Sequence, residues 1–514
     1  MTRPVRTAPP RPTRRPRWAG WIALLLIAGT ASAQRAPLRQ DSIPPLPDSL
    51  RLYGGSLPTR PALPDLAAPP DAVSLTLDQA VALALAQNPD QAVSTLEAIR
   101  AANDVTLGNA GYLPTVDATA GVAGSRSGGF GGGGGGTDST GTGGGGGGAR
   151  ASTALDAALS LNYTLFDGGL RQATYRRLQA EARRLQLLAD ADAEALALDV
   201  AAAYLDAARQ AELADAFAEA VAVSEDRLRI AQAEVRIGTA AEIDAALALA
   251  DYNADRALLL QREIQLAAAR AGLGGLLALP EPGAVVVTDT LALGAPPTLD
   301  ALEAEAAEGS RRVAAFRVAE ESAALAVDQV RSDYSPTVRV GAGVGFTALD
   351  AGFLPPDIDP TLGPDLRYGV TASLPIFDAG ERRRRLENAR IALRQAELTT
   401  DGERVANRAR AAQLSATAQG FRALVGLESL NEDIARENVR VALAQLRLGF
   451  ITPVDLRQIQ LTLVDVRTRR VEAVYQARLA EAELRLLAGD LLPSGYTADD
   501  AVDAAETRAR RARR

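Results

Sequence analysis

The sequence predicts an α+β membrane protein: a trimeric, 12-stranded β-barrel with four strands from each chain, continuous with a long α-helical coiled-coil barrel. Three observations predict it. The chain is one unit written twice. Each copy holds two stretches of about ten residues that alternate apolar and polar, the length of a tilted membrane-crossing strand. Each copy also holds a run of nearly 70 residues with the composition of an unbroken helix, far too long for a globular domain to bury.

The N-terminus comes first. Residues 1–17 carry six Arg and no acid; then follow the apolar run "WIALLLIAGT" and "ASA" before Gln34. A basic stretch, an apolar stretch and an Ala-x-Ala site describe a cleaved signal peptide over 1–33, and the apolar run is too short to span a bilayer. Residues 34–73, with "IPPLPDSL" and "RPALPDLAAPP", read as a Pro-rich linker. Loss of the leader takes the formal net charge from -8 to about -14, which argues against nucleic acid as a partner.

Composition narrows the chemistry. There is no Cys and no His, and all 55 basic residues are Arg. Thiolate, imidazole and amine nucleophiles are excluded, as are His/Cys metal sites, disulfides and an acylated N-terminal Cys. No catalytic residue, metal or cofactor is expected.

The two copies align without gaps at an offset of 222: "TLDQA" (76–80) with "TLDAL" (298–302), "YLPTVDATAGV" (112–122) with "YSPTVRVGAGV" (334–344). Farther on the offset is 211, pairing "LFDGG" with "IFDAG" and Gly238 with Gly449. The change falls at the Gly-rich run 128–148, set against 347–365. A site that accepts a low-complexity insertion is a solvent-facing loop tip. No Gly-Lys-Ser/Thr follows these glycines and no helix begins there, so they are not a phosphate cradle. The units run 74–275 and 298–488, with a connector over 276–297 and a disordered tail over 489–514.

Strands are expected near 113–123 and 153–166, joined by the loop 126–150, and near 336–347 and 365–377. Leu155, Ala157, Leu159, Leu161, Tyr163 and Leu165 alternate with Asp156, Ser160, Asn162 and Thr164. In the second copy, Leu366, Tyr368, Val370, Ala372, Leu374 and Ile376 keep the phase. Period two puts one face in apolar surroundings and the other in water. Open edges cannot persist in lipid, and four strands cannot close. Two chains would give eight strands and an interior filled by side chains; three give 12 strands and a lumen, the simplest cyclic route to an open channel.

From Leu170 to Ile237 there is neither Pro nor Gly, and Glu381 to Leu448 lacks Pro. Ala, Leu, Arg, Glu and Gln dominate, all strong helix formers. Leu178, Leu185, Leu188, Ala195, Leu198, Ala202 and Leu205 follow spacings of three, four and seven, a coiled-coil stripe. Return helices are expected from Glu242 and from Pro453, and equal lengths in the two copies imply that the turns end at one level. Shorter helices precede each first strand, and Asn88-Pro89 breaks the first group.

Between each long helix and its return lies the same punctuation, Arg-x-Gly-x5-Asp: "RIGTAAEID" (236–244) and "RLGFITPVD" (447–455). "SLTLDQAVALALAQNP" (74–89), "YLPTV", "LFDGG"/"IFDAG" and these two segments together resemble the TolC-like outer-membrane efflux protein family, over about residues 74–488 and in the family's order. The resemblance implies a homotrimer in the outer membrane of a Gram-negative-type bacterium. Its helical barrel would cross the periplasm to a periplasmic adaptor protein and an inner-membrane pump or ABC transporter, with outer-membrane lipid around the strands. It implies passive conduction in efflux or type I secretion, without catalysis.

By the same resemblance, Arg236, Gly238 and Thr239, and Arg447, Gly449 and Phe450, form the adaptor-docking tips. The family's periplasmic gate falls on Asp455 and, three residues on, on Gln458, an acid in some members. Asp455 would give a trimer a ring of three carboxylates, which favours cations; Gln458 weakens that ring. A carboxylate suits a helix start equally well, so Asp244 and Asp455 also have a purely structural reading. The rival function is a non-conducting periplasmic coiled-coil tether of the envelope. A carboxylate hydrolase is a distant third, since no pair of acids stands out from the solvated helix faces.

Overall fold

A computed structural model describes residues 66, 69, 72–127, 150–295, 298–350 and 363–492. The expected leader, most of the linker, the Gly-rich loop and the Arg-rich tail beyond Leu492 lie outside these residues.

The described elements run in chain order as β1 (Val73–Leu75), α1 (Leu77–Gln87), α2 (Pro89–Asn103), β2 (Thr115–Ser127), β3 (Arg150–Phe166), α3 (Leu170–Ile237) and α4 (Glu242–Leu276). Then come β4 (Val285–Val287), α5 (Leu299–Gly309), α6 (Arg311–Ser332), β5 (Thr337–Asp350), β6 (Gly363–Ser373), α7 (Glu381–Arg447) and α8 (Pro453–Ala488). The two long helices take up the Pro-free runs read from the sequence, at 68 and 67 residues. At 1.5 Å per residue each is roughly 100 Å long. Among the described residues no helix is apolar enough over a sufficient length to cross a membrane.

β2, β3, β5 and β6 form one antiparallel sheet in that order. The register gathers the alternating residues onto single faces. Val116, Leu161, Ala342 and Tyr368 form one row across all four strands, and Ala118, Leu159, Val344 and Leu366 another. The opposite face carries the row Asp117, Ser160, Gly343, Arg367. Rows of like character on one face are what cross-strand pairing requires. The apolar face is bare: Tyr368 is 83% exposed, Leu366 68% and Val116 60%. β6 stops at Ser373, short of the expected Phe377, because Pro375 has no N–H for a ladder.

The helices build two hairpins, α3/α4 and α7/α8, with α3 also lying along α8 and α6 lying between α3 and α7. Buried alanines line α3 (Ala180, Ala189, Ala193, Ala197, Ala201, Ala208), and their small side chains let the axes approach. The short-helix pairs break alike in both copies. Asn88 ends α1 and caps α2, accepting from Asp90 N at 2.9 Å, and Ser310 separates α5 from α6.

The expected connector 276–297 is partly ordered structure. β4 pairs in parallel with β1, Val285 against Val73. Tyr204, almost fully buried on α3, ties this small sheet to the long helix: its hydroxyl donates to Leu75 O at 2.9 Å and accepts from Asp289 N at 3.1 Å.

Candidate functional site

Both Arg-x-Gly-x5-Asp segments are helix-to-helix turns. At the first, Gly238 sits at φ 81°, ψ 16° and caps α3; its N–H donates to Val235 O at 3.1 Å and Thr239 N donates to Glu234 O at 2.9 Å. At the second, Gly449 has φ 74°; its N–H donates to Leu446 O at 3.0 Å and Phe450 N to Gln445 O at 2.9 Å. The crossed pair of bonds and the left-handed residue are the helix-ending arrangement that glycine favours. Arg236 and Arg447 occupy the last turns, where a cation suits the helix dipole, and both are exposed. Thr239 and Phe450 are exposed at the apices.

The returns differ. α4 starts at Ala241, which has no side-chain oxygen; Asp244 alone accepts there, from Ala241 N at 3.1 Å. α8 starts at Thr452, with Pro453 behind it. Thr452 Oγ1 accepts from Asp455 N at 3.3 Å, and Asp455 Oδ2 accepts from Thr452 N at 3.0 Å and from Thr452 Oγ1 at 2.6 Å. These bonds stabilise the ionised carboxylate, so Asp455 titrates below the usual Asp range, the Thr452 hydroxyl being the main cause. Asp455 is exposed, and one of its oxygens already serves the helix start. Gln458, one turn on, is exposed too. Just behind, Leu456 is fully buried against Ala442 and Leu446. The first turn has no such plug: its nearest buried cluster is Leu228, Ala248 and Tyr252.

Above the turns lies a polar knot that sequence reading missed. Asp255 of α4, 3% exposed, accepts from Arg457 Nη1 at 2.6 Å and from Gln460 Nε2 at 3.2 Å. Gln460 Nε2 also donates to Ala220 O of α3 at 2.7 Å. Three helices from both copies meet here. Close by, Arg227 pairs with Asp251. Farther up, Glu432 of α7 gathers Arg436, Arg467 and Arg470, and Glu428 is held below the ordinary Glu range by Arg469. Among the described residues no group of three or more acids is placed to hold a metal ion.

The knot corrects one expectation. The turns do not stand level within a chain. Ala220 lies 17 residues before the end of α3, but Gln460 lies seven after the start of α8; Asp255 and Arg457 lie 13 and four residues into their helices. Counted along the helices at 1.5 Å per residue, the first turn extends roughly 14 Å farther from these contacts than the second. Equal helix lengths do not fix the register between helices; the buried polar partners do.

Comparison with known proteins adds the family. The family model described as outer membrane efflux protein matches residues 80–279 and 302–490, one block for each copy of the unit. The chain belongs to the outer membrane efflux protein family. It is therefore an outer-membrane protein of a channel family, not of an enzyme family. No curated protein sequence matches it. Among solved structures, the fold is similar to the CmeC outer membrane channel of Campylobacter jejuni, with TM-score 0.65 and 14% identity over 83% of this chain and 88% of that one. It is similar to the open state of the MtrE outer membrane channel of Neisseria gonorrhoeae, with TM-score 0.65 and 18% identity over 82% and 91%. It is also similar to the outer membrane protein VceC of Vibrio cholerae, with TM-score 0.63 and 17% identity over 80% and 96%. At such identities the likeness is one of fold.

Proposed function

We propose that three copies of this chain form a passive outer-membrane duct of a tripartite efflux or type I secretion system. Four strands from each copy would close a 12-stranded barrel, and the long helices would continue it as a tunnel through the periplasm. The observation that carries this reading is the open sheet. Its apolar face is bare, and β2 and β6 each have one edge without a partner among the described strands. Such a sheet is stable in lipid only when other copies close it.

The helices carry matching support. α7 exposes Ile391, Leu398 and Val405, seven apart, then Leu427, Leu430, Ile434 and Val441. α4 exposes Ile243, Leu247, Leu258 and Ile264. Exposed apolar residues on both helices, at coiled-coil spacing along α7, suit a seam between neighbouring copies. The turns at Arg236, Gly238 and Thr239 and at Arg447, Gly449 and Phe450 form the end that meets a periplasmic adaptor, itself bound to an inner-membrane pump or ABC transporter. Three copies of Asp455 form a ring at the periplasmic mouth; Gln458 contributes no charge to it.

Two measurements test these points. The detergent-solubilised protein is expected to have the mass of three chains; a monomer at micromolar concentration contradicts the closed barrel. Asp455→Ala is expected to reduce cation preference in single-channel recordings; unchanged selectivity rejects the gate ring while leaving the duct intact.

A further inference from the structure

The chain is acidic overall, with 55 Arg against 63 Asp and Glu, yet its basic residues are not spread evenly. Residues 167–185 and 378–394, the first turns of α3 and α7 just beyond the sheet, hold eleven Arg against five acids. Several of these guanidiniums are used internally. Arg171 Nε bonds Asp167 at 2.9 Å and its guanidinium lies over Tyr112; Arg382 does the same with Asp378 at 2.7 Å and Tyr334. Others have no role within the chain: Arg176, Arg383 and Arg390 are exposed and make no ion pair or hydrogen bond among the described residues.

Arg176 lines a cleft of about 410 Å³ between the start of α3 and the end of α6. Gly168, Gly169 and Gln172 line it on one side, and Arg331, Ser332 and Ser335 on the other. Asp328 is also there, but Arg331 neutralises it at 2.8 Å. The N-terminus of α3 is already capped by Asp167, which accepts from Gly169 N at 3.2 Å and from Arg171 N at 3.2 Å, so Arg176 supplies the cleft's free positive charge. α3 is flanked by α2 and α6 of its own chain. Gly168 comes two residues after β3 and Ser335 two before β5. At about 3.3 Å per residue, the cleft lies within 10 Å of the sheet's end.

We infer that this arginine collar, with the Arg176 cleft as its defined seat, binds the phosphate of an anionic phospholipid in the leaflet facing the helices. The inference rests on the proposal that the sheet crosses the membrane. A bilayer around the apolar face places lipid phosphates at the sheet's end; Arg176 and Arg383 stand in the first two turns of α3 and α7 beyond it, and Arg390 about 14 Å along α7. Arginine suits this role because its planar fork meets phosphate oxygens in pairs and its stem tolerates the apolar boundary. The acidic remainder of the surface repels the same headgroups, so the collar sets the depth at which the protein sits.

The test uses the full mature protein in neutral detergent, with lipid retention read by native mass spectrometry. The ligands are phosphatidylglycerol, diacylglycerol with the same tails, and inorganic phosphate. Wild type is expected to retain phosphatidylglycerol and not diacylglycerol. Arg176→Gln is expected to weaken retention about fivefold, and Arg176→Gln with Arg383→Gln and Arg390→Gln about a hundredfold, at roughly 1 kcal/mol per arginine. All three positions are exposed, and unchanged helical circular dichroism checks folding. Equal retention by wild type and triple variant overturns the inference, as does full displacement of the lipid by millimolar inorganic phosphate. Flotation with phosphatidylethanolamine vesicles separates the two readings. Wild type that does not float sinks the membrane-crossing sheet, whereas flotation with equal retention sinks only the collar.

Discussion

The two helical turns share a sequence pattern and a backbone, yet they are built to different stiffness. The second has a complete capping box, a proline at the first helical position and Leu456 fully buried directly behind it. The first starts its return helix from Ala241 without a side-chain cap, and no residue from Arg229 to Leu247 is buried. It also extends roughly 14 Å farther from the polar knot. The punctuation sets where a helix reverses; the packing behind it decides how firmly the turn is held. In the proposed duct, the yielding first turn adapts to a partner, and the second holds its shape while presenting Asp455.

The largest break in this comparison comes at the knot. Asp255→Ala leaves Arg457 and Gln460 without their shared acceptor in a buried setting, an expected loss of about 3–5 kcal/mol. The midpoint of urea unfolding, followed by helical circular dichroism, reads it. Asp255→Leu with Arg457→Met removes both charges and is expected to cost much less. Next is Leu456→Ala, expected to cost about 2–5 kcal/mol through the cavity it leaves, against near zero for Ile237→Ala at the first turn, where the side chain is exposed and outside the seam between copies. Equal effects at the two turns contradict the difference in packing.

Smaller changes sharpen the same contrast. Thr452→Ala is expected to speed amide exchange in the first turn of α8, for a loss of about 1 kcal/mol, and Ala241→Ser to slow exchange at the start of α4 by a similar amount. The smallest effect depends on pH. The folded Asp455 titrates below its unfolded value, so its contribution is complete above the ordinary Asp range near 4 and is lost as pH falls through the lower folded value. Exchange at the second turn is expected to quicken over that acid range, and Asp455→Asn is expected to remove the pH dependence. The same response in Asp455→Asn assigns it elsewhere.

Much of the fold was legible because it rests on long periodic signals. The run from Leu170 to Ile237 lacks Pro and Gly and is one helix; the alternation around Leu159 and Leu161 is one face of one sheet. β1 and β4 escaped because three residues are too few to show a period, and only pairing makes them strands. The knot escaped for another reason. In a chain this rich in Arg and acids, Arg457 and Asp255 look like solvated helix-face charges. A signal was nevertheless present: Gln460 falls between Leu456 and Leu463, and Asp255 follows Ala248 and Tyr252, at spacings of four and three. A polar residue in a core stripe marks a place where helices must meet in one register. The stagger of the turns could not be read, because it depends on which partners those residues choose.

The most direct test of the central claim is electrical. Purified protein added to one side of a planar phospholipid bilayer is expected to give discrete, long-lived conductance steps, the mark of a closed barrel around a continuous lumen. Protein that floats with vesicles as a trimer but leaves the bilayer non-conducting under voltage and in acidic or high-salt buffer would contradict the duct and favour an envelope tether.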